Sequence, residues 1–331
     1  MLRNAYLQGV TYWDTASSYM GGESEKRIGK YFNKFPQDRK KIFLVTKSHA
    51  WSNEGLTNYL NRSLERMHTD YVDLFFVHSV RSIDELDDNI KVWSEKMKSE
   101  GKVHFFGFST HSNMEECMLK ASKLGWIDGI MMSYNFRLMH TDRMRRAVDA
   151  CVEAGIGLTA MKTQGGGSVK TSNEIEHELA ARFLKQGYTD AQAKLKAVWE
   201  NKAISSICSE MPNMNILIEY VSAALDRSKL STRDLQMLLQ YAVVSSSNYC
   251  SGCAHICESA VGDHLPISKV MRCLMYWRCY GDRERAATLF NGIPKSRVRI
   301  MATCNYTPAE QKCPQKMAIG KLVRTAMREF S

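Results

Sequence analysis

Short runs of apolar, β-branched and aromatic residues recur along the first two thirds of the chain, and each is followed by polar residues. Runs this short that end abruptly are typical of strands buried on both faces of a sheet. The pattern predicts seven strands, at residues 10–13, 42–46, 72–77, 104–108, 129–132, 157–160 and 204–208.

The segments between these runs have the period of amphipathic helices. After Asn53, a candidate N-cap, apolar residues recur every three or four positions, at Leu56, Leu60, Leu64 and Met67. Thr189 and Gln192 have the spacing of a capping box. Strands that alternate with helices predict a parallel sheet. We therefore expect an α/β fold, a (β/α)8 TIM-type barrel whose first strand is missing at the N-terminus.

The pattern changes near residue 225. Ser231 and Asp234 are spaced as the start of a capped helix, and further helical segments are predicted near 270–280 and 319–330. The sequence thus predicts two domains, a barrel at 1–225 and a small helical domain at 226–331.

Composition excludes some classes of function. The 331 residues contain no apolar run long enough for a transmembrane helix. The formal net charge is +10, but basic residues are mixed with acidic ones, so we expect no nucleic-acid binding and assign the charge to an anionic cofactor or substrate. The N-terminus has no leader composition and reads as the end of a helix, which predicts a cytoplasmic protein, or an exported one if a leader was lost with the first strand.

Four predicted strands end on polar residues, Asp14, Lys47, His78 and Ser109. In a parallel barrel the carboxyl ends of the strands form the active site, so these side chains should converge. Tyr19 follows in the loop after Asp14. A phenol keeps its proton up to a pKa of about 10, and a nearby cation such as Lys47 lowers that value. Tyr19 could then donate a proton to a carbonyl oxygen, with Asp14 holding Lys47 and His78 adding a hydrogen bond. The alternative is a buried Asp14–Lys47 ion pair and a core histidine without catalytic roles.

These residues lie in motifs that resemble the signatures of the aldo-keto reductase family. The motifs are Gly9-Val10-Thr11-Tyr12-Trp13-Asp14-Thr15-Ala16-Ser17-Ser18-Tyr19 with Glu25 and Gly29, then Ser63-Leu64-Glu65-Arg66-Met67 with Asp70-Tyr71-Val72-Asp73-Leu74 and His78, and Gly101-Lys102-Val103 with Gly107-Phe108-Ser109. The resemblance extends to about Tyr220. It implies an NAD(P)-dependent carbonyl reductase with Tyr19 as general acid, Lys47 and Asp14 tuning it, and His78 orienting the substrate.

The resemblance also implies cofactor-binding positions, at Ser109, Thr110, Met131, Met161, Lys162 and Asn213. Several differ from the family pattern, which has Ser-Asn at the first two, Gln at Met131 and an aromatic residue at Met161. The loop at 210–215 lacks the clamp for a 2′-phosphate, so NADP and NAD both stay open. The glycine run 165–167 either approaches a phosphate or is a flexible loop.

Seven of the ten cysteines fall in the last quarter of the chain. Cys250, Cys253 and Cys257 form a C-x2-C-x3-C run, and Cys313 precedes Pro314. This resembles a variant ferredoxin-type 4Fe-4S site, of the kind carried by a subgroup of aldo-keto reductases. Zinc is the less favoured occupant, and Cys304 is a reserve fourth ligand. Cys273 and Cys279 are expected to be packing residues, and Cys117, Cys151 and Cys208 core residues.

The sequence therefore predicts an oxidoreductase that transfers hydride between NAD(P)H and a carbonyl or alcohol substrate. It also predicts an accessory 4Fe-4S cluster, for which an electron-transfer protein is a candidate partner. The alternative is a non-catalytic electron-relay or binding protein on an inherited barrel. NADPH binding distinguishes the two.

Overall fold

The computed structural model describes residues 1–166, 174–262 and 265–330. Gly167, the last residue of the predicted glycine run, lies outside them. The chain divides into two compact units. The barrel unit comprises Met1–Ser133, Asp142–Met161 and Asn201–Arg227, and the helical unit comprises Tyr134–Thr141, Lys162–Glu200 and Ser228–Ser331. The predicted boundary at 225 lies close to the last of these divisions, but the prediction had placed 134–141 and 162–200 with the barrel.

The barrel unit is built on one parallel sheet with the strands in sequence order. Its seven strands are β1 Tyr12–Asp14, β2 Phe43–Ser48, β3 Val72–Val77, β4 Val103–Thr110, β5 Gly129–Ser133, β6 Gly157–Met161 and β7 Ile204–Cys208. All neighbours pair in parallel. The predicted strands and their parallel arrangement are confirmed, with bounds shifted by one or two residues.

The α-helices of the described residues are numbered in chain order. They are α1 Leu2–Leu7, α2 Glu23–Lys34, α3 Asn53–Met67, α4 Asp88–Ser99, α5 Met114–Ala121, α6 Asp142–Glu153, α7 Glu174–Lys185, α8 Asp190–Trp199, α9 Met214–Leu225, α10 Thr232–Val244, α11 Ala254–Cys257, α12 Ile267–Tyr280, α13 Arg283–Asn291, α14 Lys295–Thr303, α15 Thr307–Lys312 and α16 Ile319–Phe330. None of them combines the length and apolar character needed to cross a bilayer.

The sheet curves into a barrel whose interior is filled by alternate residues of the strands. Val45, Leu74, Phe76 and Met131 form a buried interior cluster. Across this interior, the hydroxyl groups of Tyr12 on β1 and Thr159 on β6 lie 3.0 Å apart and share a hydrogen bond. Because β1 and β6 stand far apart in the strand order, this contact requires the sheet to close on itself.

Helix capping agrees with the sequence pattern, with one correction. Thr189 and Gln192 form the predicted capping box at the start of α8. The N-cap of α3 is Ser52 and not Asn53, because the Ser52 hydroxyl accepts the Gly55 N–H at 3.1 Å. Both residue types cap well, and only the backbone conformation decides which of two neighbours does so.

Gly29 allows α2 and α3 to pack closely. A Cβ added at Gly29 would lie 2.1 Å from the Arg66 carbonyl oxygen, which is a forbidden distance. Below this contact, the fully buried Glu25 accepts hydrogen bonds from Arg66 at 3.0 Å and from Thr46 at 2.8 Å. The motif residues Glu25, Gly29 and Arg66 thus fix one layer of helices against β2.

The helical unit has its own apolar core around α12 and α16. Val270, Leu274, Val323 and Phe330 are among its buried members, and Phe330 packs against Phe290 with ring centroids 5.6 Å apart. Buried side chains of this size contribute about 1.5–3 kcal/mol each to folding. A second cluster joins α7 and α8 to α10 through side chains that include Phe183, Ala193 and Leu238. The helices predicted near 270–280 and 319–330 are confirmed as α12 and α16.

Candidate active site and cysteine cavity

The interior face of the barrel unit ends, at the carboxyl ends of the strands, in polar and sulfur-containing side chains. Because residues two apart in a strand share a face, the strand registers place the last interior positions at Asp14, Lys47, His78, Ser109, Ser133, Met161 and Cys208. The predicted convergence of strand ends therefore includes every strand of the sheet.

Asp14 and Lys47 form a buried ion pair at this rim. Lys47 Nζ lies 2.5 Å and 2.6 Å from the two carboxylate oxygens of Asp14 and donates to the Thr15 carbonyl at 2.7 Å. Burial lowers the pKa of Lys47, but Asp14 and Tyr19 outweigh it, so the pKa lies above the ordinary value. Burial raises the pKa of Asp14 against the opposing effect of Lys47. Lys47 therefore stays a cation at neutral pH.

Cys208 is a rim residue whose role the sequence did not reveal. Its thiol, on β7, hydrogen bonds the Asp14 carboxylate, and burial together with that carboxylate holds the thiol pKa well above its ordinary value. Cys208 packs against the interior cluster, as predicted for a core residue, and it also contacts the Asp14 carboxylate, which the prediction did not include. A pattern that counts apolar residues cannot separate a thiol packed against hydrocarbon from one bonded to a carboxylate.

Tyr19 lies beside the ion pair. Lys47 Nζ is 4.9 Å from the centre of the Tyr19 ring, and the Tyr19 ring meets His78 edge-on with centroids 5.8 Å apart. His49, which the sequence did not single out, stacks on His78 at 4.2 Å. The four predicted catalytic residues, Tyr19, Lys47, Asp14 and His78, thus lie together, with a second imidazole behind His78.

The segment that carries Tyr19 is fixed by its backbone conformation and by a hydrogen bond to one of its backbone carbonyl groups. Tyr19–Gly22 is a short 3-10 turn in which Met20 and Gly21 have positive φ. Arg66 donates to the Ser17 carbonyl at 3.2 Å while it also holds Glu25. One guanidinium therefore joins the Tyr19 loop to α2, so the position of the phenol depends on Arg66 in α3.

Ser109 and Thr110, two predicted cofactor residues, use their hydroxyl groups to fix neighbouring loops. Ser109 accepts the Ser79 N–H at 3.1 Å, and Thr110 donates to the Ser112 carbonyl at 2.8 Å. Both side chains are buried. Their direct action here is to hold the turn after His78 and the turn after β4.

The two predicted methionines differ in position. Met131 is buried in the interior cluster, whereas Met161 packs against that cluster at the rim. Ser133, two residues beyond Met131 on the same face, lies 3.4 Å from His111 Nδ1. The register of β5 thus places the Ser133 hydroxyl, with the His111 imidazole beside it, at the rim where Met131 is expected to act. The sequence analysis identified neither Ser133 nor His111.

The remaining predicted cofactor residues have local partners. Asn213 is exposed and caps α9 by accepting the Ile216 N–H at 3.0 Å. Lys162 belongs to the helical unit, where its ammonium donates to the Tyr276 hydroxyl at 2.7 Å. Lys162 has a positive φ of 55°, which is uncommon outside glycine. Burial lowers the pKa of Lys162, while the cations Lys162, Arg285 and Arg272 lower the pKa of Tyr276 against the effect of its burial.

The four predicted metal ligands line a single cavity in the helical unit. Its walls are Cys250, Ser251, Cys253, Ala254, Cys257, Ile267, Ser268, Met271, Cys313, Pro314, Gln315, Met317 and Ile319. The reserve candidate Cys304 is absent from this wall, as are Cys273 and Cys279. The C-x2-C-x3-C run and the distant Cys-Pro pair therefore line the same cavity.

Apart from its thiols and the polar residues Ser251, Ser268 and Gln315, the cavity wall is apolar. Burial raises the pKa of Cys250 to about 12, and the neighbouring Cys253 and Cys313 add to this effect. Burial likewise raises the pKa of Cys257. In the part of the chain that the structure describes, no three His, Cys, Asp or Glu side chains form a group that could hold a metal ion. An all-sulfur donor set around one cavity nevertheless fits soft metals and iron–sulfur clusters in its chemistry.

A parallel barrel that gathers ionisable side chains at the carboxyl ends of its strands has the architecture of a barrel enzyme. The model of the Aldo/keto reductase family matches residues 1–227, so the chain belongs to that family. The prediction of an aldo-keto reductase-type oxidoreductase is confirmed at the level of the family.

Individual relatives are distant. An aldo-keto reductase of Fusarium vanettenii is 26% identical over 192 residues, covering 48% of this chain and 52% of its own length. L-galactose dehydrogenase of Arabidopsis thaliana is 24% identical over 250 residues, 69% of this chain and 78% of its own length. The chain spans about half the length of several curated relatives that it matches.

Solved structures share the fold. An aldo/keto reductase from Klebsiella pneumoniae, solved with NADP and acetate, superposes with a TM-score of 0.61 and 21% identity, over 73% of this chain and 83% of that one.

Proposed function

We propose that the barrel unit is an NAD(P)H-dependent reductase of carbonyl compounds, or an NAD(P)-dependent dehydrogenase of the matching alcohols. The observation that carries the proposal is the meeting of Tyr19, His78 and the buried Asp14–Lys47 pair at the rim of an aldo/keto reductase barrel. When bound, the nicotinamide cofactor supplies or accepts the hydride.

In the reductive direction, the Tyr19 hydroxyl donates its proton to the carbonyl oxygen of the substrate. Lys47 stabilises the phenolate that remains, and Asp14 keeps Lys47 in place. His78, stacked on His49 and in edge contact with Tyr19, donates a hydrogen bond that orients the same oxygen. Each residue thus acts on one atom, the carbonyl oxygen, where negative charge develops.

Cofactor binding is assigned to the rim and to the start of α9. Met161, Ser133 and His111 offer a thioether for the face of an aromatic ring and polar groups for a carboxamide. Asn213 stands at the N-terminus of α9, where backbone N–H groups favour phosphate. Ser109 and Thr110 hold the turns next to this surface. Cofactor binding by Met131 and Lys162 stays a prediction. NADP is the first cofactor to test because the Klebsiella relative was solved with it.

The test combines binding with turnover. We expect purified protein to bind NADPH or NADH in a fluorescence titration and to reduce aldehydes from a substrate panel. The Tyr19→Phe variant should lose about 10²–10⁴-fold in kcat, with nucleotide affinity unchanged. Tyr71→Phe, at the opposite end of β3, is the matched control and should retain activity. A folded protein with no nucleotide affinity would overturn the reductase and favour the electron-relay alternative.

We further propose that Cys250, Cys253, Cys257 and Cys313 bind a 4Fe-4S cluster. The support is the shared cavity of the four thiols, their all-sulfur chemistry, and the ferredoxin-like spacing with its Cys-Pro ending. When bound, the cluster supplies one-electron chemistry or cross-links the helices around it. The reducing environment that such a site needs agrees with the predicted cytoplasmic location.

Metal analysis after anaerobic purification tests the cluster. We expect about four irons and a similar amount of sulfide per chain. Cys250→Ala should lose them, whereas Cys273→Ala, a core cysteine outside the cavity wall, should keep them. Zinc without iron would replace the cluster with a structural zinc site, and a metal-free protein would overturn both assignments.

A further inference from the structure

The positive charge of the chain is concentrated near its C-terminus. Residues 228–331 contain 15 Lys and Arg but only 7 Asp and Glu, so this segment accounts for most of the formal net charge of +10. The basic residues are spread along the chain as expected, but the acidic residues mixed with them are sparse in this segment. The segment is also the one that contains the cysteine cavity.

Three exposed lysines, Lys312, Lys316 and Lys321, stand beside the wall of this cavity in the sequence; we call them the lysine rim. Lys312 and Lys316 flank the wall residue Cys313, and Lys321 follows the wall residue Ile319 by two positions. Lys316 accepts a positive φ of 52° in the turn that its N–H closes on the Cys313 carbonyl. The Cys313 turn is therefore tight, and an exposed lysine flanks Cys313 on each side in the sequence.

The carboxylates nearest in sequence to this turn and to the cavity wall accept hydrogen bonds from backbone N–H groups. Glu258 is buried and accepts the Ser268 N–H at 2.9 Å. Glu310 accepts the Gly320 N–H at 2.8 Å. Within the residues that the structure describes, none of the three lysines takes part in an ion pair. The rim thus presents three ammonium groups to solvent, with Glu310 as the carboxylate nearest to them in the sequence.

The helix that carries Lys321 does not offer an apolar surface for a membrane. The apolar side of α16, which includes Val323, Ala326 and Phe330, is buried in the core of the helical unit. Three ammonium groups at one cavity also form too small a surface for tracking a nucleic-acid backbone, which needs many phosphate contacts. Electrostatic docking of a small acidic protein requires only a compact patch of this kind.

We propose that the lysine rim docks an acidic one-electron carrier protein at the cysteine cavity. This proposal rests on the cluster assigned above. With a cluster held by Cys250, Cys253, Cys257 and Cys313, the reduced carrier would give up one electron and the cluster would accept it, with no bond or proton exchanged. The lysines beside Cys313 in the sequence would hold the carrier at this turn, in the weak, small type of interface that electron-transfer complexes use.

Binding measurements on the iron-loaded protein test the proposal. The probe is a small acidic plant-type 2Fe-2S ferredoxin, titrated by calorimetry at low and high salt. We expect binding that weakens with salt and that falls about tenfold or more in Lys312→Glu/Lys316→Glu, because two attractive charges become repulsive. The matched control is Lys295→Glu/Arg299→Glu, which makes the same charge change on α14, outside the cavity wall, and should change affinity less than about threefold.

Each other outcome is decisive. Equal losses in the two double variants would mean that only overall charge matters and would overturn the docking site. Equal affinity of wild type for duplex DNA or for anionic vesicles would make the patch a general polyanion surface. If the affinity does not change when the rim lysines are replaced and the iron content stays full, the docking site is overturned and the cluster stands. Missing iron would overturn the cluster itself.

Discussion

The barrel rim and the cysteine cavity both bury ionisable groups, but they handle the charge of these groups in opposite ways. At the rim, the charge of Lys47 is balanced within the chain by Asp14, and the Cys208 thiol adds a further hydrogen bond to that carboxylate. In the cavity, four thiols are brought together and burial holds the pKa of Cys250 and Cys257 high. A site balanced by its own side chains is complete when the chain folds, whereas a cavity of neutral thiols becomes a charged site only when a metal binds.

The largest expected effect on stability comes from removing one partner of the Asp14–Lys47 pair at the rim. Lys47→Met leaves the buried Asp14 carboxylate without its partner and should lower the free energy of unfolding by about 3–5 kcal/mol. Urea denaturation measures the loss. The Asp14→Asn/Lys47→Met double variant should be less destabilised than Lys47→Met, since no charge then stays buried. If Lys47→Met were as stable as the native chain, the pair would not be a buried ion pair.

A paired carboxylate in the helical unit tests whether a charge balanced by a partner within the chain also stabilises that unit. Asp234 accepts from Arg182 Nε at 2.5 Å and from Ser231. Burial raises the pKa of Asp234, but these hydrogen bonds outweigh it, so the pKa lies below the ordinary 3.8. A depressed pKa contributes stability that is present above the ordinary value and is lost as the pH falls through the folded value.

Asp234→Asn should therefore lower the free energy of unfolding by about 1.5–3 kcal/mol at pH 7. The difference from the native chain should shrink below about pH 4. Thermal or urea unfolding at several pH values measures it. The matched control is Asp142→Asn, whose exposed pair with Arg145 should make no measurable contribution. A pH-independent difference would contradict an ionic origin.

The smallest effect concerns Cys208. Cys208→Ala removes a weak donor to Asp14 and should lower stability by about 1 kcal/mol, with a modest fall in kcat because Asp14 holds Lys47 less firmly. Cys208→Ser keeps a donor at that place and should recover most of both losses. Identical behaviour of the alanine and serine variants would mean that the thiol serves packing alone.

Much of the barrel could be predicted because its determinants are local. The alternation of strand and helix periods predicted seven parallel strands, and the polar residue at each strand end predicted that Asp14, Lys47 and His78 would meet. The resemblance to a ferredoxin run likewise implied that Cys313 would join Cys250, Cys253 and Cys257, and all four line one cavity. The strand ends and the C-x2-C-x3-C run are specified by neighbours in the sequence, whereas Cys313 reaches the cavity from far along the chain.

Other residues could not be found this way. Ser133 and His111 meet only because of the register of β5, and Cys208 reaches Asp14 only because the sheet closes. Lys162, expected at a cofactor, donates to Tyr276, which lies 114 residues away in the chain. No local pattern records such a partner.

The sequence by itself determined the period of each element, the residue type at each strand end and the cysteine spacing, because these depend on backbone geometry over a few residues. Only the tertiary structure decided which buried groups balance one another. Barrel closure set the partners of Asp14, and helix packing placed Glu258 on the Ser268 N–H and Glu310 on the Gly320 N–H. The physical reason is that desolvation and pairing energies depend on distances in space, and the fold sets these distances between residues far apart in sequence.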